Sequence, residues 1–298
     1  MQIGFIGLGR MGANMVKRLL PDGHTVVGYD RDAEVIASLT QKGFQGVTDL
    51  YSLVTYLEKP RAIWMMVPSG APVDETIALL LPHLAEGDLL IDGGNSLYKQ
   101  SIERATTLKK KGIHYMDVGT SGGIWGLTVG YCMMIGGEVE DFKHLDPIFK
   151  TLAPEEGYLY CGKHGAGHFT KMIHNGIEYA MLQAYGEGFA LLEASPFDLN
   201  MPQISKLWNR GSVIRSWLLE LAEGAFEKDP RLATFKGYVD DSGEGRWTVL
   251  EAVESGVPAP TIAASLFARF SSRNTDAFSD KFIAALRKEF GGHAAKRT

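Results

Sequence analysis

The residues with the most chemistry to offer sit in one proline-free stretch, 165–189, which reads GAGHFTKMIHNGIEYAMLQAYGEGF. Lys171, Asn175 and Glu178 recur there at i, i+4 and i+7, and His174 lies one turn on from Lys171. On a helix these positions share a face. At about 1.5 Å of rise per residue, Lys171 and Glu178 are separated by roughly 10 Å of axis. Long side chains converge on a small molecule across that gap, so an amine and a carboxylate with an amide between them make an acid/base constellation. The competing reading is a solvated polar stripe on an amphipathic helix. His174 and Asn175 weigh against it, because both are mediocre helix formers that a plain surface does not require.

A helix of this kind needs a scaffold, and the amino-terminal half supplies one. The apolar run 3–6 ends in Gly7-Leu8-Gly9-Arg10-Met11-Gly12, a helical stretch follows over 11–20, and a second apolar run, 25–29, closes on Asp30. Strand, glycine turn, helix, strand and acid follow in the order of a dinucleotide-binding unit. Gly7 allows the tight turn, Gly9 lets backbone approach a pyrophosphate, and Gly12 lets helix and strand pack closely, while the helix N-terminus attracts the phosphates. A ligand-free glycine-rich turn would leave unexplained the acid placed 18 residues after the third glycine. A carboxylate at Asp30 accepts hydrogen bonds from a ribose 2′-OH and repels a 2′-phosphate. Arg31 softens that exclusion, so NAD is the expected cofactor and some NADP use is left open.

Further apolar runs at 62–67, 89–91 and 114–118 alternate with helix-like segments around 74–81 and 100–111. Continuous apolar strands between helices indicate a parallel sheet covered on both faces. The loops 67–71 (with Val67 and Pro68), 93–96 (with Asn95) and 120–126 (with Ser121, Gly122 and Gly123) are expected to line its binding crevice. Each loop's glycines could instead serve turn geometry alone.

After a strand-like 157–161, glycines at 162 and 165 mark a boundary, and no strand-rich region follows. Apolar residues at 213, 214, 217, 218, 221, 222 and 226 keep a helical period, and 247–254, 260–270 and 276–290 read as further helices. Residues 237–246 form a polar, glycine-containing loop, and the small, basic 291–298 reads as a frayed tail. The expected fold is an α/β Rossmann-type doubly wound parallel sheet followed by an all-α C-terminal domain, as domains 1–164 and 165–298. The broad apolar content of the helices points to an oligomer interface as well as a core.

Composition narrows the classes of partner. The net charge of −5 argues against nucleic acid or an anionic membrane as a partner over the whole surface, and leaves room for a local basic pocket. Cys132 and Cys161 lack metal-type spacing and read as free, buried thiols of a reducing compartment. No metal site is expected. The start, MQIGFIGLG, lacks a basic n-region, and no apolar run approaches the ~20 residues of a membrane span, so a cytoplasmic protein is expected.

With these motifs assembled, the chain resembles the 6-phosphogluconate dehydrogenases (decarboxylating) over nearly its full length. The start GFIGLGRMG is shared with the broader β-hydroxyacid dehydrogenases, whereas HFTKMIHNGIEY at 168–179 is similar to the signature of this family. RWT at 246–248 and RKEFGGH at 287–293 resemble its phosphate-contact and tail motifs, with Arg246 standing where lysine is more usual. The chain is too short for the duplicated helical region of long members and resembles a short form.

The resemblance implies oxidation and decarboxylation of 6-phosphogluconate to ribulose 5-phosphate in the pentose phosphate pathway. Lys171 would take the proton of the substrate's 3-hydroxyl and later donate to the C3 oxygen, a role that needs a neutral amine favoured by burial and nearby cations. Glu178 would protonate C1 of the enediol. Asn95, Ser121, Gly122, Gly123, His174 and Asn175 match positions around the carboxylate and hydroxyls. Tyr179, Arg246, Arg269, Arg287 and His293 match those that hold the phosphate, for which guanidinium groups suit. The tail of the family reaches into a neighbouring subunit, implying a homo-oligomer, dimer or tetramer, in which Arg287 and His293 complete a partner's site. Without the resemblance, Arg269 and Arg287 read as a solvated helix face. Two rivals stand beside this: another β-hydroxyacid dehydrogenase acting on an unphosphorylated acid such as 3-hydroxyisobutyrate, and a non-catalytic NAD-sensing module. Replacing Asp30 by a neutral residue should improve use of NADP in coupled assays. Unchanged selectivity would remove Asp30 from the account.

Overall fold

The apolar runs between glycine turns become the strands of one sheet. The computed structural model describes residues 1–39, 42–274 and 276–291, and the chain divides into two compact units, Met1–His174 and Asn175–Thr298. The first unit runs β1 (Gln2–Ile6), α1 (Arg10–Leu19), β2 (Thr25–Tyr29), α2 (Ala33–Ser38), β3 (Phe44–Gly46), α3 (Leu50–Tyr56), β4 (Ala62–Met65) and α4 (Ala71–Leu80). It continues through β5 (Leu89–Asp92), α5 (Tyr98–Lys109), β6 (His114–Ser121), α6 (Gly126–Val129), β7 (Cys132–Gly136), α7 (Val139–Leu152) and β8 (Tyr158–Gly162).

The strands pair in the order β3-β2-β1-β4-β5-β6-β7-β8. Pairing is parallel from β3 to β6, whereas β7 runs antiparallel to β6 and β8 parallel to β7. The expectation of a parallel sheet thus describes six strands, and the last two reverse. Only residues 122–131 join β6 to β7, too few for the crossover of a dozen or more residues that a parallel return needs. Neighbouring residues face opposite ways: Phe5, Trp64 and Ile91 enter one core, Ile6, Ile63 and Leu90 the other. Both faces are therefore buried, which is why the runs read as continuously apolar.

Among the described residues the second unit is helical. It holds the later part of α8 (Ala166–Glu193), then α9 (Met201–Trp208), α10 (Trp217–Lys228), α11 (Glu244–Ser255), α12 (Pro260–Ser272) and α13 (Phe278–Gly291). Helix α10 starts later than the apolar period suggested. Ser216 caps it, its Oγ accepting from Leu219 N at 3.1 Å, and Val213 lies in the preceding turn, fully exposed. Helix α11 starts earlier than expected, at Glu244, and absorbs the end of the polar loop. The Phe189 ring packs on Trp208 and Phe226 with centroids 5.7 and 5.1 Å away, but Leu191, Phe197, Val253 and Phe278 are exposed. Ser216→Ala should lower stability by about 1 kcal/mol through the lost cap, visible as a lower urea midpoint. An unchanged midpoint would mean that the cap does not start this helix.

Candidate active site

The strand order reverses at β1 and β4, the place where open α/β sheets bind ligands. Gly7 turns there with φ 88°, and a Cβ on it would lie 2.4 Å from the carbonyl oxygen of Met66. A Cβ on Gly12 would lie 2.0 Å from the Gly7 oxygen, whereas one on Gly9 would meet nothing within 4 Å. Backbone at Gly9 therefore faces open space, as an approaching pyrophosphate requires. Gly7, Gly9, Asp30, Arg31, Val67 and Pro68 all line one cavity of about 420 Å³. Leu8 contributes its amide, not its side chain, which is buried: Leu8 N donates to Asp30 Oδ2 at 2.6 Å, and Asp32 N donates to Asp30 Oδ1 at 2.9 Å. Both oxygens keep a further lone pair for ribose hydroxyls. Arg31 is exposed and lies 3.8 Å from Glu75. Arg10 and Met11 open α1 beside the turn. These residues fit a dinucleotide.

The loops after β4 and β5 are tied together by a buried acid that sequence reasoning passed over. Asp92, fully buried, accepts from Ser96 Oγ at 2.8 Å, Tyr115 Oη at 2.8 Å, Arg104 Nη1 at 3.3 Å and Gly94 N at 3.0 Å. Arg104 also donates to Asp74 at 2.7 Å and to the Gly70 carbonyl at 3.3 Å. Burial, and then the Asp92 carboxylate, push the Tyr115 hydroxyl far above its usual range. Burial alone would lower Arg104, yet its hydrogen bond to Asp74 and the charges of Asp92 and Asp74 hold it above its usual value. Next to this network Asn95 adopts φ 53°. Its Oδ1 accepts from Thr120 N at 2.8 Å and its Nδ2 donates to Thr120 O at 3.1 Å. Asn95 is thus a clamp on β6 with one N–H and one lone pair left for a ligand. Thr120 and Ser121 lie on the end of β6 itself, and Gly122 and Gly123 follow with φ 133° and 53°.

Lys171 is placed by the start of α8. The buried carboxylate of Asp117, on β6, accepts from Gly165 N at 2.6 Å and His168 N at 2.9 Å. It caps the positive end of the helix from outside the helix's own sequence. Glycines bring the backbones together: a Cβ on Gly167 would lie 2.4 Å from Met134 O, and one on Gly119 would lie 2.3 Å from Lys171 Cβ. The lysine is consequently only 5% exposed, and its Nζ lies 3.2 Å from His174 Nδ1. Cys132 pairs with Ser121 across β6 and β7; it is exposed and Cys161 is half-buried, contrary to the expectation of buried thiols, because the alternation that sends Met133 and Ile135 into the core turns Cys132 away from it.

Asn175, Glu178 and Tyr179 continue along α8, so the spacing inferred for one helix holds. In the second unit the Tyr179 ring is buried with the Arg269 guanidinium 3.4 Å from its centroid. Arg269 Nη1 donates to the Asp240 carbonyl at 2.8 Å. Arg246 pairs with Asp241, Nε–Oδ2 2.5 Å and Nη2–Oδ1 3.1 Å, and Arg273, which sequence reasoning did not single out, reaches the same carboxylate at 2.8 Å. The hydrogen bond from Arg246 and then that from Arg273 hold Asp241 below the usual carboxylate range. Tyr179, Arg246 and Arg269 are thus gathered round one loop. Arg287 is exposed on α13 with no hydrogen bond or ion pair among the described residues, and His293 lies outside the described residues. The residues missed, Asp92 and Asp117, carried a signal: an acid inside an apolar strand must be paired.

The chain matches two family models, the NAD binding domain of 6-phosphogluconate dehydrogenase over residues 2–162 and the 6-phosphogluconate dehydrogenase C-terminal domain over 167–289. It is 48% identical, over the full length of both chains, to a Bacillus subtilis protein, YqeC, whose own assignment to the 6-phosphogluconate dehydrogenases is provisional. It is 44% identical to the NAD(+)-dependent, decarboxylating 6-phosphogluconate dehydrogenase of Haloferax volcanii, covering 100% of this chain and 99% of that one. The solved 6-phosphogluconate dehydrogenase of Plasmodium falciparum superposes with TM-score 0.84 at 29% identity, over 100% of this chain and 66% of that one. The 3-hydroxyisobutyrate dehydrogenase of Mycobacterium tuberculosis, TM-score 0.72 at 22% identity over 96% and 99% of the two chains, shares the fold. Asp117→Asn should cost about 1–3 kcal/mol of stability, because an amide NH2 would face a backbone N–H that now has an acceptor. Urea unfolding with wild-type stability would contradict this capping role.

Proposed function

The chain belongs to the 6-phosphogluconate dehydrogenase family, and from that premise we propose that it converts 6-phosphogluconate to ribulose 5-phosphate and CO2 with NAD as the preferred oxidant and NADP as a secondary one. The match of both halves of the chain to this one family supports the reading most directly. Asp30 at the cavity supports the NAD preference, since a carboxylate accepts from a 2′-OH and repels a 2′-phosphate. A bound nicotinamide would accept the hydride that leaves C3 of the substrate.

The chain's own groups do the rest. Lys171 accepts the proton of the 3-hydroxyl, with His174 at 3.2 Å holding the amine in place. The product is a 3-keto acid whose carboxylate lies β to the new carbonyl. As the carbon–carbon bond to that carboxylate breaks, Lys171 returns the proton to the C3 oxygen, CO2 leaves, and an enediol remains. Glu178 then donates a proton to C1 while Lys171 takes back the proton of the enediol hydroxyl, giving the ketose. Asn95, Ser121, Gly122, Gly123 and Asn175 orient the carboxylate and hydroxyls, and Tyr179, Arg246 and Arg269 hold the phosphate. Domain 1–164 binds the dinucleotide, and 165–298 supplies substrate contacts and the oligomer interface. Exposed apolar side chains such as Leu191, Phe197 and Phe278 support a homo-oligomer, in which Arg287 and His293 serve a neighbouring subunit. No helix among the described residues is long and apolar enough to cross a membrane, and a cytoplasmic setting suits the reaction and the two free thiols.

Lys171→Ala should lower kcat by about 10²–10⁴-fold while the dissociation constant for NAD, read by fluorescence titration, stays at the wild-type value. Substantial turnover in this variant would refute the base assignment. Glu178→Gln should slow ketose formation and leave NAD binding alone; an equal loss of NAD affinity would make Glu178 structural.

A further inference from the structure

The loop 240–244 is wired to three guanidinium groups by contacts that no motif predicts. The side chain of Asp241 is only 2% exposed, yet both of its guanidinium partners keep part of their surface, 52% for Arg246 and 21% for Arg273. Phe270 lies against both cations, 4.6 Å from Arg246 Cζ and 5.1 Å from Arg273 Cζ. Tyr179 accepts from Ser242 N at 3.1 Å through its hydroxyl while Arg269 covers its ring. The other acids of the loop are engaged elsewhere or exposed. Glu244 accepts from Ser242 Oγ at 2.5 Å, and Asp240, 79% exposed, lies 3.9 Å from Arg273.

This arrangement differs from an ordinary surface ion pair. There both partners are solvated and little is gained. Here the carboxylate is covered, and the cations it orders present their remaining surface to solvent. A guanidinium recognises an oxyanion through a fixed planar fork, so its value depends on being held at the right angle before the ligand arrives. Two-point attachment of Arg246 to Asp241, with an aromatic ring on one face, sets that angle. Arg273 is set by the same carboxylate.

We propose that Asp241 is a positioning residue that pre-sets Arg246 and Arg273 as a guanidinium pair, and that Arg273 thereby joins Arg246 in recognising the phosphate monoester of the substrate. The proposal rests on the reading of this chain as a 6-phosphogluconate dehydrogenase. It adds to that reading two residues, Asp241 and Arg273, that neither the sequence motifs nor the family resemblance assigned.

The test is steady-state kinetics of full-length Asp241→Asn, Asp241→Glu and Arg273→Ala against wild type, with 6-phosphogluconate and NAD varied in turn and inorganic phosphate as competitive inhibitor. Asp241→Asn and Arg273→Ala should each raise KM for 6-phosphogluconate and Ki for phosphate together, by about 10- to 100-fold, the order expected for lost charge-assisted hydrogen bonds. kcat and KM for NAD should stay within about threefold, and Asp241→Glu should recover part of the loss. Parallel loss of kcat, NAD affinity and thermal stability, with Ki for phosphate unchanged, would make Asp241 structural and overturn the proposal. Should Asp241→Asn fail to fold, Arg273→Ala decides alone: wild-type Ki and KM in that variant overturn it. A wild-type enzyme that neither oxidises 6-phosphogluconate nor is inhibited by phosphate overturns the underlying reading, and the proposal with it.

Discussion

The carboxylate of Asp117 under the first turn of α8 is the interaction on which the site depends. A helix that begins against a sheet brings four unsatisfied amides and a positive dipole end into a region without water. Asp117 meets both demands by accepting from Gly165 and His168. Because the acid is fixed on β6, the first turn of the helix has one register relative to that strand. Lys171, one turn after His168, is then carried against Gly119, where any side chain would collide with its Cβ. The burial of the lysine follows from those two contacts rather than from any preference of lysine itself.

A second buried acid does the same for the loops. Asp92 and Arg104 together reach Gly70, Gly94 and Ser96, so the turns after β4 and β5 are held by one ion pair. Asn95 passes the constraint to β6 through Thr120. Displacing any member therefore disturbs both the wall of the dinucleotide cavity and the strand end that carries Ser121. Removing one partner of such a pair is expensive because the other charge is left buried without compensation. That expense is also what keeps the loops from alternative arrangements.

Much of this was legible in the chain before any coordinates. The Gly7–Gly9–Gly12 turn, Asp30 and the alternation of strands follow from periodicity and turn chemistry, and the helix carrying Lys171, Asn175 and Glu178 follows from spacing alone. Other features are not encoded in periodicity. The reversal of β7 follows from the short 122–131 connection, and the late start of α10 from a serine cap that outranks an apolar pattern. The clamp formed by Asn95 was hidden because a loop asparagine reads equally well as a ligand contact. Arg246 and Arg269 were singled out by motif, but Asp241 and Arg273 become visible only once the helices bring residues 241, 246 and 273 to one carboxylate.

The measurement closest to the central claim is absorbance of reduced nicotinamide on mixing the protein with 6-phosphogluconate and NAD, with released CO2 trapped in the same reaction. The account predicts reduction of NAD with one CO2 per reduced nicotinamide. Reduction without CO2 would make the protein a simple hydroxyacid dehydrogenase, and NAD binding without any reduction would contradict an enzymatic role for Lys171 altogether.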